Sequence, residues 1–338
     1  MPSPTRCLTA GDALIFVRDR AVQPPADHPL IGLELEWLTY HESDPARRLT
    51  TAELAPVLAG VAAGAARVGS GVVAAANGTL PAGGRITIEP GGQVELSSAP
   101  QPSAAEAIDA TRTDMEVLRG ALREAGIRLQ GSGLDQHRSP ERVIDTARYR
   151  AMEAYFDAFG PEGRAMMCNS ASLQVNVDVD GEPMDAWRAA TLAAPLLAQF
   201  FNAPSPNRMD LWSRIDYTRA MPVEGFDLPS AWAAYALEAR VMFVRVDVDE
   251  CVPILDGLTF IGWLEHGHPL GWPTEADLAE HLTTLFPPVR PRGWFELRTI
   301  DALDDACWPR AVELAAALVL DGPDRKKLLE TGEVPGWR

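Results

Sequence analysis

The chain has 338 residues, of which 46% are hydrophobic and 23% charged, so a large folded core is available and wholesale disorder is excluded. Its 30 basic and 47 acidic residues give a net charge of −17, which repels nucleic-acid backbones and anionic lipid surfaces. The length allows two average domains or one large domain.

The positions of the lysines and cysteines argue against further classes of function. The only lysines are Lys326 and Lys327, so the body of the chain has neither a P-loop lysine nor a Schiff-base lysine. The four cysteines form no C-x-x-C pair, which argues against a zinc ribbon and a disulfide-rich secreted domain. The N-terminus has no apolar signal segment, and no apolar run approaches the roughly 18 residues of a membrane span. We therefore expect a cytoplasmic protein that binds neither nucleic acid nor membrane.

Hydrophobic periodicity and capping signals predict an irregular order of strands and helices. Residues 1–28 are interpreted as a loose lead-in segment, and residues 29–338 as one catalytic domain. The predicted strands cover residues 31–40, 85–89, 93–97, 172–179, 241–248 and 293–299. The predicted helices begin after Thr50 and Ser103 and cover residues 148–159, 184–201, 274–285 and 306–320. This order lacks repeated βαβ units and favours an α+β domain in which helices back an antiparallel sheet.

The common nucleotide and hydrolase signatures are absent from the sequence. It contains no G-x-x-x-x-G-K-[ST], G-x-G-x-x-G, G-x-S-x-G or H-E-x-x-H. The segment Glu265-His266-Gly267-His268 has two imidazoles but no third ligand nearby, and we interpret it as a surface loop.

Acidic residues at alternate strand positions are the main functional signal. Glu34 and Glu36 leave the same face of the first strand, because strand side chains alternate. Glu89 and Glu95 flank Pro90-Gly91-Gly92 and share a face only if the hairpin loop has three residues; a two-residue turn would point Glu95 to the opposite side. Each pair alone could be the solvent face of an edge strand.

The last strand and the strand at 172–179 add further polar groups. Glu296 and Arg298 are two residues apart on the former, and Gln174, Asn176 and Asp178 alternate on the latter. Five glutamates on one sheet face would form a cage of hard oxygen ligands suited to Mg²⁺ or Mn²⁺. Such a cage could hold a nucleoside triphosphate through metal ions and so replace the missing P-loop.

Four segments resemble the glutamate–cysteine ligases of plants and many bacteria. Residues 88–97 read I-E-P-G-G-Q-V-E-L-S and resemble that family's E-P-G-G-Q-x-E-L-S signature. Residues 32–36 (G-L-E-L-E), 173–178 (L-Q-V-N-V-D) and 295–298 (F-E-L-R) resemble its G-x-E-x-E, V-Q-V-N-x-D and (L/F)-E-x-R strands. The similarity runs from about residue 30 to about residue 305. It is greatest to the actinobacterial branch that supplies γ-glutamylcysteine for ergothioneine synthesis.

The resemblance implies a fold and a reaction. The fold is a glutamine-synthetase-like single domain, with a curved, mainly antiparallel sheet whose open face holds the active site. The reaction is the ATP-dependent ligation of L-cysteine to the γ-carboxylate of L-glutamate through a γ-glutamyl phosphate. ATP is the co-substrate, and two or three Mg²⁺ ions, or Mn²⁺, are the expected cofactors.

The resemblance also assigns residues one by one. The metal ligands it implies are Glu34, Glu36, Glu89, Glu95, Gln174 and Glu296. Arg298 and Glu36 are the catalytic residues, Arg298 matching the arginine that touches the transferring phosphate. The substrate-binding residues it implies are Arg214, Arg219, Gln93 and Asn176. The middle motif departs from the W-x-D-x-D-x-x-R of plant members, because it retains only Asp216 and Arg219 of the charged positions.

Two other functions fit the same residues. One is a γ-glutamyl ligase that uses a different amine acceptor, since no residue pattern defines a thiol pocket. The other is a catalytically silent metal-binding scaffold of the same fold. Phosphate release with cysteine against other amino acids separates the first from the expected enzyme, and turnover with Mg²⁺ and ATP separates the second.

Overall fold

The computed structural model describes residues 7–61, 66–69, 72–75, 80–225 and 227–334. Its helices are α1 (Ala10–Ala21), α2 (Thr51–Val61), α3 (Ala104–Glu124), α4 (Ala147–Asp157), α5 (Pro161–Asn169), α6 (Pro183–Phe201), α7 (Arg208–Trp212), α8 (Tyr217–Ala220), α9 (Leu228–Glu238), α10 (Phe260–His266), α11 (Glu275–Leu282), α12 (Trp308–Val319) and α13 (Pro323–Thr331). Its strands are β1 (Ile31–His41), β2 (Ala66–Gly69), β3 (Val72–Ala75), β4 (Arg85–Ile88), β5 (Val94–Ser97), β6 (Ile127–Gln130), β7 (Ser172–Val177), β8 (Phe243–Asp247), β9 (Glu250–Pro253), β10 (Val289–Pro291) and β11 (Phe295–Asp301).

A seven-stranded sheet in the order β10-β11-β7-β1-β5-β4 organises the fold, with β6 paired to the end of β1. Its strand pairs are antiparallel. Helices α3, α6 and α12 pack against β1, β11 and β7, respectively, and α12 also packs against α3 and α6. The prediction of an α+β domain with an antiparallel sheet backed by helices is confirmed.

Strand β1 shows how the sequence divides the two faces of the sheet. Leu33, Leu35 and Trp37 are at most 3% exposed and belong to the core, whereas Glu34 and Glu36 point to the other face. A strict alternation of leucine and glutamate therefore fixes which face is packed, because a shift by one residue would bury the acids among the helices.

Two segments differ from the sequence prediction. Residues 10–21, expected to be loose, form α1, which buries Ala13, Val17 and Ala21 and packs against α9. The spacing of these small residues is i, i+4, i+8, which is the helical period that the nearby prolines obscured. Glu265 and His266, expected in a loop, are the last residues of α10, and the helix stops at Gly267, whose φ is +70°. The boundary of the catalytic domain near residue 29 stays a prediction.

The turn between β4 and β5 has three residues. The Glu89 N–H donates to the Gln93 carbonyl at 2.8 Å, and the Gly92 N–H donates to the Glu89 carbonyl at 2.9 Å. Thr87 then lies opposite Glu95, so Glu89 and Glu95 share one face of the hairpin. The alternative with a two-residue turn is thereby excluded.

The two glycines of this turn are needed for different reasons. Gly92 has a φ of +86°, which side chains disfavour. Gly91 lies so close to the end of α5 that an added Cβ would stand 2.0 Å from the Cys168 carbonyl oxygen. Arg48 donates to the Gly91 carbonyl at 3.0 Å and holds the turn in this position.

We predict that Gly91→Ala destabilises the protein by about 2 kcal/mol or more, because the added methyl group overlaps backbone atoms that cannot rotate away. The matched control is Gly120→Ala in α3, where a Cβ meets no atom within 4 Å and helix propensity favours alanine by about 1 kcal/mol. Thermal or urea unfolding measures both. A Gly91→Ala protein as stable as wild type would contradict the close approach.

His281 connects α11 to α9. Its Nε2 lies 2.8 Å from the Ala236 carbonyl oxygen, and its ring lies 4.8 Å from the ring of Phe260. Burial, reinforced by the positive charge of Arg219, lowers the pKa of His281 to about 3. The folded protein therefore holds this imidazole neutral.

Stability is expected to fall as the pH drops below about 6.5, because an unfolded histidine then takes up a proton that folded His281 does not accept until about pH 3. This group contributes a slope of up to about 1.4 kcal/mol per pH unit. His281→Gln keeps a donor for Ala236 and should flatten the dependence between about pH 6 and pH 4. Denaturant unfolding at several pH values tests this, with exposed His28→Gln as control; equal slopes in wild type and His281→Gln would refute it.

In the parts of the chain that the structure describes, no helix is both long enough and apolar enough to span a bilayer.

Candidate active site

The open face of the sheet brings the predicted acids side by side across neighbouring strands. Glu36 of β1 lies directly opposite Glu95 of β5, and Glu34 lies opposite Gln174 of β7. On the far side of β7, Asn176 lies opposite Glu296 of β11. Residues separated by up to 262 positions in the sequence, from Glu34 to Glu296, therefore share one surface.

A cavity of about 240 Å³ lies over this surface. Four of the five predicted glutamates line it together with Gln174, Gln93 and a set of arginines that face them. The acidic residues are Glu34, Glu36, Glu89 and Glu95, and the arginines are Arg148, Arg208, Arg290 and Arg298. Tyr149, Met152, Met166, Met167, Trp212 and Phe286 supply its less polar wall. We call this space the acidic cavity.

Glu36 is held at both carboxylate oxygens. The Ser172 N–H donates to Oε2 at 2.7 Å, and Gln174 Nε2 donates to Oε1 at 3.1 Å. The Gln174 Oε1 accepts from Arg298 Nη1 at 2.5 Å. Arg298, Gln174 and Glu36 thus form one continuous hydrogen-bonded chain across three strands, which fixes their relative positions.

The other three acids of the cavity have raised pKa values, with burial as the largest cause and a nearby carboxylate as the second. Burial, followed by repulsion from Glu36 and Glu34, raises the pKa of Glu89 to about 8. Burial and the negative charge of Glu296 raise the pKa of Glu34 to about 6. The pKa of Glu95 lies well above its usual range, because it is buried next to Glu89. Such a group of carboxylates gains stability when a cation enters among them.

Glu95 also has two hydroxyl donors. Thr87 Oγ1 donates to its Oε1 at 2.9 Å and Ser97 Oγ at 3.1 Å. Both hydroxyls lie on the open face of the β4–β5 hairpin, so the local strand alternation positions them.

Glu296 differs from the other four acids, because arginines already surround its carboxylate. Arg290, Arg292 and Arg298 all pair with it, the last at 2.9 Å, and the residue is fully buried. Burial alone would raise the pKa of Glu296, but Arg290 and Arg298 hold it below its usual range. Its charge is therefore neutralised without a metal ion.

A bulge in β11 presents Arg298. The pairing of β11 with β7 shifts register between Leu297 and Ile300. Buried Arg208 donates to the carbonyl oxygens of Arg298 and Ile300, the latter at 3.1 Å. The Arg298 Nε is buried and has no hydrogen-bond partner among the residues that the structure describes.

The donor set of the acidic cavity fits a hard divalent cation. It offers carboxylate and amide oxygens, and Mg²⁺ and Mn²⁺ prefer such ligands. Burial, together with neighbouring carboxylates, raises the pKa values of Glu34 and Glu89, and a cation placed among these groups would offset both effects. Within the described ranges, no three His, Cys, Asp or Glu side chains converge closely enough to enclose a metal ion as they stand. A cation would therefore have to draw these side chains together.

Gln93 lines the cavity, but its amide serves the turn. Its Nε2 donates to the Ser170 carbonyl at 2.7 Å, and its Oε1 accepts from the Gly91 N–H at 2.9 Å. Asn176 lies beyond Glu34 and does not line the acidic cavity; its Oδ1 accepts from Trp294 Nε1 at 2.8 Å. Both amides thus have hydrogen-bond partners within the chain, and the substrate-binding role expected for Gln93 and Asn176 stays a prediction.

The structure does not bring Arg214 and Arg219 to the acidic cavity, and the substrate-binding role expected for them stays a prediction. The Arg214 side chain is 66% exposed and lies 4.0 Å from Glu162. Arg219 is fully buried, pairs with Asp216 at 3.0 Å and donates to the Thr284 carbonyl at 2.8 Å. It ties α8 to the end of α11, which is a structural role.

Three arginines of the cavity escaped the sequence analysis. Arg290 lies on β10, and the alternation Val289-Arg290-Pro291-Arg292 before Gly293 could have indicated a hairpin arm opposite Phe295 and Glu296. Arg148 and Arg208 lie near the starts of helices α4 and α7, outside any strand pattern. No local signal distinguishes them from surface arginines.

The fold and the cavity define an α+β protein whose site combines carboxylates with arginines on an open sheet face. Residues 30–330 match the sequence model of glutamate-cysteine ligase family 2 (GCS2), and the chain belongs to that family. The family resemblance drawn from the four segments is thereby confirmed.

Relatives of known name agree with this assignment. Glutamate–cysteine ligase EgtA of Mycolicibacterium smegmatis is 39% identical over an alignment of 343 positions, gaps included. The alignment covers 95% of this chain and 75% of the relative. The EgtA of Mycobacterium tuberculosis is 38% identical over 321 residues, covering 88% of this chain and 70% of the relative. The chloroplastic glutamate–cysteine ligase of Nicotiana tabacum is 29% identical over 257 residues, covering 68% and 47%. The predicted likeness to an actinobacterial branch is confirmed.

We predict that Arg219→Ala lowers the free energy of unfolding by about 3 kcal/mol, since it removes the buried ion pair at 3.0 Å and leaves Asp216 with the more distant guanidinium of Arg240 at 3.6 Å as its ionic partner. Arg214→Ala should change it by less than about 0.5 kcal/mol, because its ion pair is exposed. Urea unfolding of both variants measures the difference. Equal losses of stability in the two variants would contradict this prediction. A loss of substrate affinity in Arg214→Ala would support a substrate-binding role for Arg214.

Proposed function

We propose that this chain is an ATP-dependent glutamate–cysteine ligase that forms γ-glutamylcysteine, ADP and phosphate. The observation that carries the proposal is a cavity in which four half-buried glutamates face four arginines, in a chain of the glutamate-cysteine ligase family. The names of the EgtA relatives support the same reaction. The likeness to the actinobacterial branch extends the proposal to ergothioneine biosynthesis.

The cofactor in this proposal is Mg²⁺, with Mn²⁺ as a substitute. Glu34, Glu36, Glu89 and Glu95 would hold the ions, with Gln174 beside them. Glu296 remains a predicted ligand, and it would first have to exchange an arginine partner for the ion. When bound, Mg²⁺ neutralises the triphosphate and polarises the γ-phosphoryl group.

The arginines act on the anionic groups of the substrates. Arg298 presents its unpartnered Nε in a buried position while Gln174 and Glu296 hold its Nη1, so the guanidinium is preorganised. It is suited to bind the oxygens of the transferring phosphoryl group. Arg290 lines the same cavity and adds a second fixed positive charge.

The chemistry proceeds in two steps. An oxygen of the glutamate γ-carboxylate attacks the γ-phosphorus, and the bond to the leaving ADP oxygen breaks. The neutral cysteine nitrogen then attacks the γ-carbonyl carbon, phosphate leaves, and the nitrogen gives a proton to a neighbouring carboxylate. Glu36 accepts a hydrogen bond from Gln174, and Gln174 accepts one from Arg298. The role we assign to Glu36 is to hold these two side chains in position for the reaction.

The partners in this proposal are L-glutamate, L-cysteine and ATP, with no nucleic acid and no membrane. The compartment is the cytoplasm. The four cysteines are free, as a reducing compartment requires.

We predict that Glu36→Gln and Arg298→Lys each lower kcat at least about 100-fold. Glu36→Gln removes a carboxylate charge fixed in the cavity, whereas Arg298→Lys keeps the positive charge but loses the planar set of guanidinium donors. A coupled assay of ADP release with glutamate, cysteine, ATP and Mg²⁺ measures this. The matched controls are exposed Glu313→Gln and Arg112→Lys, which should keep wild-type rates.

Three outcomes of this assay would change the proposal. ADP release with another amine but not with cysteine would show a different γ-glutamyl ligase. Binding of Mg²⁺ and ATP without turnover would show a silent scaffold. Full activity in Glu36→Gln would show that the acidic cavity takes no part in the reaction.

A further inference from the structure

The outer edge of β11 loses its strand partner just before Arg298. Strand β10 pairs with β11 only at Phe295–Leu297, and the chain that leads into β10 contains Pro287 and Pro288. The Arg298 N–H donates to the Pro288 carbonyl at 2.9 Å, but a proline has no N–H to donate in return. The backbone around Arg298 therefore needs hydrogen-bond partners that a neighbouring strand does not supply.

The side chain of Asn202, at the end of α6, supplies two of these partners. Its Nδ2 donates to the Thr299 carbonyl at 2.9 Å, and its Oδ1 accepts from the Asp301 N–H at 2.8 Å. A side-chain amide has both a donor and an acceptor, as a peptide group does. Asn202 thus takes the place of a neighbouring strand along the residues that follow Arg298.

Two further contacts tie the same segment to α6. Thr299 Oγ1 donates to the Ala194 carbonyl at 2.8 Å, and the Ala203 N–H donates to Asp301 Oδ2 at 3.2 Å. Thr299 and Asp301 are 3% and 2% exposed, so a hydrogen bond lost there would leave a buried polar group without a partner. The end of α6 therefore fixes the path of β11 at this point.

The path of β11 decides where the Arg298 guanidinium lies. The register shift of β11 against β7 falls across Arg298 and Thr299. The Arg298 Nη1 donates to Gln174 at 2.5 Å and to Glu296 at 2.9 Å, and such hydrogen bonds depend steeply on distance and angle. A backbone change at Thr299 would move the guanidinium relative to these two acceptors.

Asn202 differs from Arg208, which holds the same bulge. Arg208 donates to the Ile300 carbonyl, but it also lines the acidic cavity and carries a charge. Asn202 is uncharged and does not line that cavity. A substitution of Asn202 therefore changes the position of Arg298 without removing a charge or a surface that a ligand in the cavity would touch.

We propose that Asn202 is a positioning residue for the ligation, acting on the transferring phosphoryl group through the backbone of β11 and the guanidinium of Arg298. This inference rests on the proposed function, in which Arg298 binds the oxygens of that phosphoryl group. It assigns a role in the reaction to the end of a helix that lies outside the acidic cavity.

A double-mutant cycle with Arg298→Lys tests the proposal, because substitutions that act through one group are not additive. Inorganic tripolyphosphate with Mg²⁺ is the probe, and calorimetry measures its binding. Asn202→Ala should weaken this binding at least about tenfold in the wild-type background and less than about twofold in the Arg298→Lys background.

The kinetic constants should divide in the same way. Asn202→Ala should lower kcat for ADP release at least about tenfold, because a displacement of about 1 Å can cost about 100-fold in rate. The KM values for glutamate and cysteine should stay within about twofold of wild type, since Asn202 touches neither amino-acid substrate in the proposed reaction.

Two further variants separate positioning from a general loss of stability. Ser103→Ala removes the N-cap of α3, whose Oγ accepts from the Glu106 N–H at 3.2 Å, and so destabilises the protein without touching β11. It should bind tripolyphosphate and turn over as wild type does. Asn202→Leu keeps the approximate size of the side chain and loses both hydrogen bonds, so it should behave as Asn202→Ala. If thermal unfolding shows that Asn202→Ala does not fold, Asn202→Leu decides.

Each other result has a definite meaning. Unchanged tripolyphosphate affinity and kcat in the folded Asn202 variants overturn the proposal. Equal factors with and without Arg298→Lys overturn it as well, because Asn202 would then act independently of Arg298. A raised KM for an amino acid with unchanged tripolyphosphate binding overturns it in favour of a role at the amino-acid site. If neither variant folds, Asn202 serves the fold as a whole and the proposal fails.

The binding cycle is independent of the complete reaction. If wild type binds tripolyphosphate but shows no turnover with glutamate, cysteine and ATP, the proposed function fails, and the cycle still decides whether Asn202 acts through Arg298. If wild type turns over and the cycle is additive, the positioning proposal alone fails. A wild-type protein with neither activity contradicts both.

Discussion

Repulsion between carboxylates on one face of the sheet is the constraint on which the site depends. Glu36 and Glu95 lie directly opposite each other on neighbouring strands, an arrangement that destabilises a sheet when both are charged. Burial beside Glu34 and Glu89 strengthens the repulsion, as the raised pKa values of those two residues show. The fold tolerates this only because hydrogen bonds, hydroxyls and nearby arginines hold the acids. A cation among these carboxylates would relieve the repulsion, which is why the proposed function places Mg²⁺ there.

The turn after β4 transmits this constraint to the rest of the fold. Gly91 packs against the Cys168 carbonyl, and Gln93 bonds the Ser170 carbonyl. The segment they contact leads directly into β7, which carries Gln174. The contact between this turn and the end of α5 therefore positions Glu89 and Glu95 of the hairpin relative to Gln174 of β7.

Negative and positive side chains are separated on the open face of the sheet. Carboxylates concentrate on β1 and β5, whereas arginines concentrate on β10 and β11, where Arg290 and Arg298 neutralise Glu296. A ligand that carries anionic groups and needs cations would meet opposite kinds of partner at the two ends. A second cavity, lined by Gly32, Asn176 and Trp294 with Glu34 and Asp178 as its charged members, continues the acidic side along β1, so the face offers three distinct environments in a row.

The sequence by itself determined the α+β class, the face of each strand and the family, because strand alternation and contiguous motifs are local properties of the chain. Glu34 and Glu36 had to share a face whatever the rest of the molecule did. Tertiary structure alone decided which residues meet. It brought Arg148, Arg208 and Arg290 to the acidic cavity and surrounded Glu296 with arginines. It also buried Arg219 outside that cavity. Those outcomes depend on how helices and distant strands pack. A motif records the type and spacing of a residue, but the partner that neutralises its charge comes from another part of the chain.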